Sequence, residues 1–109
     1  MNTFDTRPLV RGLMLRSLIV LVLLDRRRPM DLAALTRAIG QSGFAVGGRP
    51  GKEIADALRW EVRRGRVVRH ARGVYGPGVV AKVTRHRMRA RVAQMRNRTD
   101  ISTETRLRA

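Results

Sequence analysis

A mainly α-helical domain with one small β-hairpin is the fold class that this sequence predicts, and three observations predict it. Apolar residues recur at helical spacing in four segments of the 109-residue chain. One short stretch, Arg66 to Gly76, instead carries paired β-formers on either side of a turn. Apolar residues make up 43% of the chain, enough for a core in a chain about one domain long.

Residues 1–8 read as an N-terminal arm ending at Pro8. From Leu9 to Asp25 the pattern is helical and apolar on nearly every side, as in a helix buried against more than one neighbour. Arg26 to Arg28 suit its C-terminus, where cations complement the helix dipole, and Pro29 prevents continuation. Met30 is then free to form a short sheet edge. Asp31 is a good N-cap for a second helix, Leu32 to about Gln41, with Leu32, Leu35 and Ile39 on one face. Gly40 and Gly43 mark its end. A glycine-rich loop follows between Ser42 and Pro50, in which Phe44 and Val46 are expected to plug the core.

The third helix runs from about Gly51 to Arg64 and stops at Gly65, a residue suited to the left-handed position after a helix. Its expected buried stripe is Ile54, Leu58 and Val62 with Ala55 beside them. Lys52, Asp56, Arg59, Trp60 and Arg63 face away. In the hairpin, Val67-Val68 and Val74-Tyr75 are the strands, Ala71-Arg72-Gly73 the turn, and Tyr75 the hydrophobic anchor. Pro77-Gly78 closes the unit. A fourth helix spans Val80 or Thr84 to Asn97, with Ala81, Met88, Val92 and Met95 as its apolar stripe. Arg85, Arg89 and Arg96 flank one side of that stripe, and Arg87, Arg91 and Arg98 the other. Residues 99–109 are polar and aperiodic, a flexible tail by expectation. The division is therefore an arm (1–8), a folded unit (9–78), a basic helix (79–98) and a tail.

Charge narrows the function. The chain carries 24 Lys+Arg against 8 Asp+Glu, a net charge of +16, and 22 of the 24 cations are Arg. Codon usage in a GC-rich genome is enough to favour Arg over Lys, but it favours neither sign of charge. Such an excess repels itself unless an anionic partner shares it. Residues 49–98 hold 15 Lys+Arg and 3 Asp+Glu, a net +12; the remainder holds 9 and 5, a net +4. The surplus therefore sits on the third helix, the hairpin and the fourth helix.

Other classes recede. The apolar run Leu18–Leu24 is seven residues, against roughly 18 for a spanning helix, and Asp25-Arg26-Arg27-Arg28 follows it without a small-residue cleavage site. A cytoplasmic, nucleoid-associated protein that does not engage membrane is expected. No cysteine is present, and His70 and His86 lack a clustered carboxylate, so no metal or cofactor is expected. No nucleophile–base set assembles at a recognisable spacing, so the chain is not expected to be an enzyme.

The order helix, short extended piece, helix, helix, hairpin is that of a winged helix-turn-helix with an added C-terminal helix. In that arrangement one helix buries an apolar stripe and offers its other face to a major groove, while the wing reaches the flanking backbone or minor groove. The expected DNA-binding residues are Arg49, Lys52, Arg59, Arg63 and Arg64 around the third helix, with Arg66, Arg69, His70 and Arg72 on the wing. Trp60 is expected to pack under the wing, and Glu61 to pair with a nearby Arg.

The stretch DALRWEVRRGRVVRHARGVYGPG, Asp56 to Gly78, resembles the recognition helix and wing of small winged-helix proteins of actinobacteria and their phages. Its wing, GRVVRHARGVY, is also similar to that of the N-terminal domain of AbiEi-type antitoxins. The close similarity covers about 23 residues. It implies double-stranded DNA as partner and a sequence-specific regulator of transcription. A non-specific architectural nucleic-acid binder and an antitoxin-like autoregulator are the alternatives. A homodimer through the first or the fourth helix is a second candidate partnership.

Overall fold

The computed structural model describes residues 7–108, with side chains described for residues 7–98. Most of the expected arm, residues 1–6, lies outside the described residues. The elements follow in the order β1 (Leu9–Val10), α1 (Gly12–Arg26), β2 (Met30–Asp31), α2 (Leu32–Gln41), β3 (Ala45–Val46), α3 (Pro50–Arg63), β4 (Val67–Ala71), β5 (Val74–Pro77) and α4 (Lys82–Arg108).

The chain is mainly helical, and α1 is its axis. Leu15 and the unbroken run Leu18–Leu23 are buried. This is possible because α2, α3 and α4 all pack on α1, and β5 touches it as well. A helix enclosed on several sides needs apolar residues all round, as this one has. It ends where Arg27 turns left-handed (φ 55°) with its N–H donating to the Leu23 carbonyl at 2.9 Å. Asp31 caps α2 as expected, its Oδ1 accepting from the Ala34 N–H at 2.7 Å.

Two short sheets flank the helices. Met30 pairs with Tyr75 and Asp31 with Val74, so β2 extends the hairpin into an antiparallel sheet of order β2-β5-β4. Separately, Leu9 and Val10 pair in parallel with Ala45 and Val46. The expected helix start at Leu9 is thus corrected to Gly12. Local periodicity could not reveal this strand, because its partner lies 36 positions later, inside the glycine-rich loop. That loop swings back over the end of α2 and seats Phe44 in the core, as expected.

Three further features differ. The buried stripe of α3 is Ile54, Ala57, Leu58 and Glu61, rotated from the expected Ile54–Leu58–Val62; Val62 is half-buried. The rotation turns Glu61 toward α1. Ala81 is exposed and lies ahead of α4, while Met88 and Val92 join the same core as α1. The α4 backbone stays helical to Arg108, past the expected end at Asn97 and through most of the expected tail.

Candidate nucleic-acid interface

The α3–β4 junction sets the geometry of the site. Gly65 takes a left-handed φ of 74°, its N–H donating to the Val62 carbonyl at 3.0 Å, while the Arg66 N–H donates to the Glu61 carbonyl, also at 3.0 Å. This paired closure is a Schellman turn, which glycine adopts without steric cost. It brings Arg66 back alongside Glu61. The strand exit is pinned at the same place: the Gly78 N–H donates to the Arg66 carbonyl at 2.9 Å and the Val79 N–H to that of Gly65 at 3.0 Å. A side chain at position 78 would collide with the Gly65 carbonyl oxygen.

Glu61 is fully enclosed, and two guanidinium groups hold it there. Arg66 donates from Nε to Oε2 at 2.6 Å and from Nη2 to Oε1 at 3.0 Å; Arg16 donates from Nε to Oε1 at 3.0 Å. Burial by itself would raise the carboxyl pKa. The hydrogen bonds from Arg66 and Arg16, with their charges, outweigh it and hold the group below its ordinary 4.5. Arg66 is raised in turn, chiefly by its hydrogen bonds to Glu61. Of the expected DNA-binding residues, then, Arg66 is already committed to an internal carboxylate.

The outer face of α3 is open. Lys52 and Arg59 have side chains 64% and 67% exposed, and Arg63 is exposed too. Asp56 lies between the first two, 3.3 Å from Lys52 Nζ and 3.8 Å from Arg59 Nη1. Sequence reading placed Asp56 on this face without giving it a part; its spacings of four and three residues are the signal. Trp60, 49% exposed, does not pack under the hairpin. The Arg16 and Arg63 guanidinium groups each stand 5.5 Å from its ring centre, so its neighbours are α1 and the next turn of α3.

Arg49 forms the N-terminal boundary of α3, where its carbonyl accepts from the Glu53 N–H at 2.9 Å; its side chain is exposed. Arg64 is exposed at the opposite end. On the hairpin, Arg69 and Arg72 are exposed, with Arg72 in the two-residue turn beside Gly73 (φ 74°). His70 sits at an irregularity between Arg69 and Ala71, and its imidazole lies over Gly76 across the strands. The structure thus gathers Lys52, Arg59 and Arg63 on one helix face, sets Arg69 and Arg72 on the hairpin, and turns Arg66 inward.

No family model, curated protein or solved structure matches this chain.

The arginines of α4 with described side chains, Arg85 to Arg98, divide into two groups. Arg89 pairs with Asp25 at 3.0 Å, Arg91 donates to the buried Ser17 hydroxyl at 2.7 Å, and Arg96 donates to the Ser42 carbonyl at 2.8 Å while lying 5.2 Å from the Phe44 ring centre. These three dock the helix. Arg85, Arg87 and Arg98 have no such partner among the described residues. Sequence reading missed the parts of Arg16 and Ser17. Their signal was available, since they are two adjacent polar residues interrupting an otherwise apolar helix.

Among the described residues no group of His, Asp or Glu could hold a metal ion, and no helix is long and apolar enough to cross a membrane.

Proposed function

We propose that this protein is a winged helix-turn-helix that binds double-stranded DNA sequence-specifically and regulates transcription, with α3 in the major groove and the β4–β5 hairpin on the flanking backbone or minor groove. The observation that carries this reading is the exposed Lys52–Arg59–Arg63 face on a helix whose other face is core, followed directly by a hairpin with Arg72 at its tip. The order β2-β5-β4 supports it, because pairing the short strand before α2 with the far hairpin strand fixes the hairpin beside α3. An Arg on such a face can reach a guanine edge with two hydrogen bonds, whereas an Arg on a hairpin tip meets phosphates. Because α1 is enclosed by its own chain, a homodimer across two half-sites would use α4.

Selection from random duplexes should yield a defined motif. Arg59→Ala and Arg63→Ala should each lose about 1–3 kcal/mol of discrimination at particular positions, while Arg72→Ala weakens all duplexes alike. Equal weakening of selected and random duplexes by all three would overturn readout by α3. The unpartnered Arg85, Arg87 and Arg98 favour a second reading, general backbone binding, for which preference over random DNA would stay under about tenfold.

A further inference from the structure

Arginine is concentrated at one more place, away from the outer face of α3. A recess of about 260 Å³ opens between the start of α1, the α3–β4 turn and α4. Five arginines line it, Arg16, Arg64, Arg66, Arg87 and Arg91, with Leu13, Thr84 and Met88 completing the wall. One carboxylate, Glu61, answers this charge, and it is spent on Arg16 and Arg66. Three of the five, Arg64, Arg87 and Arg91, are left without an ionic partner, and the recess keeps a net charge of +4 (five arginines less one carboxylate).

We propose that this recess is a binding pocket for a phosphoryl group. Three of its arginines are held in place before any ligand arrives: Arg16 and Arg66 by Glu61, and Arg91 by the Ser17 hydroxyl. Each keeps N–H groups beyond those bonds, since a guanidinium has five. Arg64 and Arg87 are exposed and make no hydrogen bond or ion pair among the described residues. Fixed donors bind an anion without first losing side-chain freedom, and Arg forks match phosphate oxygens in pairs. A single carboxylate would leave most of the charge unanswered, whereas a phosphate or pyrophosphate carries two or more charges on several oxygens. Size agrees: the recess falls below the roughly 300 Å³ at which drug-sized pockets begin, yet it exceeds the space of several waters at about 30 Å³ each. The phosphoryl group could belong to a free phosphate ester or to a nucleic-acid backbone, and the same chemistry recognises both.

The test is a titration of the full chain with inorganic pyrophosphate at constant ionic strength, followed by calorimetry and by the fluorescence of Trp60. Trp60 is the chain's single tryptophan and lies against Arg16. Saturable one-to-one binding is expected. Arg64→Gln and Arg87→Ala, both at exposed positions without partners, should each weaken it about tenfold, the loss of one charge-assisted hydrogen bond. Arg37→Gln, an exposed site on α2, should leave it unchanged. Failure to saturate, undiminished binding in both pocket variants, or equal weakening by Arg37→Gln would overturn the proposal. A duplex added to the pyrophosphate complex separates the sources. Mutual exclusion assigns the pocket to backbone phosphate, and simultaneous binding assigns it to a free ester. The titration needs no DNA, so it stands even if duplex binding fails.

Discussion

Glu61 shows how one residue can tie elements together that are distant in sequence. Its carboxylate bridges Arg16, 45 positions away on α1, and Arg66, five positions on, and so links α1, α3 and the start of β4. Glu61→Gln should lower stability by about 3 kcal/mol in urea or thermal unfolding, the low end for breaking a buried pair, because both arginines can turn toward water. Acid should have a related effect. A carboxyl held below its ordinary 4.5 contributes fully above that value and loses the contribution as pH falls through the lowered folded value. The wild type should therefore destabilise more steeply than Glu61→Gln in that window. Asp56 has a different part, pairing with Lys52 and Arg59 on the surface that we propose meets DNA. Asp56→Asn should tighten duplex binding about threefold, and more at low salt. A loss of affinity would show that Asp56 orients the two cations for readout.

Among the elements, α4 departs furthest from its expected character. Sequence pattern reads its Met88, Val92 and Met95 stripe as packing on the core, and Met88 and Val92 are buried there; it does not show that three of the arginines clasp α1 and the α2–β3 turn, or that the backbone stays helical to Arg108. Met88→Ala should cost about 3 kcal/mol, and unfolding should stay a single transition monitored by both Trp60 fluorescence and helical signal. Two separate transitions would mean that α4 undocks on its own. The β1–β3 pair makes the same point about strands. Leu9-Val10 and Ala45-Val46 are two-residue segments, too short to announce themselves, and they exist as strands only through each other.

Across the whole molecule the cations behind the net charge of +16 lie in different settings. Part is internal or clasping, on Arg16, Arg66, Arg89, Arg91 and Arg96; part lies open on α3, the hairpin and Arg87 and Arg98 of α4. If the open part meets about 6–10 phosphates, log affinity for duplex DNA should fall with log salt at a slope of about −5 to −9. Fluorescence anisotropy across a salt series measures it. A slope near zero would show that the open arginines do not face the duplex.

The four helices, the Asp31 cap, the Gly65 stop, the Phe44 plug and the hairpin were determined by the sequence itself, since each depends on residues within a few positions of one another. The concentration of charge after Arg49 was equally legible, being a matter of counting. Tertiary structure decided which arginines are available. Arg66 and Arg69 look alike in sequence, three positions apart in one basic hairpin, but the turn at Gly65 aims the first at Glu61 and leaves the second exposed. Only the packing of α1 against α3 and α4 brings Arg16, Arg64, Arg66, Arg87 and Arg91 around one recess. Coulomb attraction depends on distance through space, and distance along the chain does not reveal it.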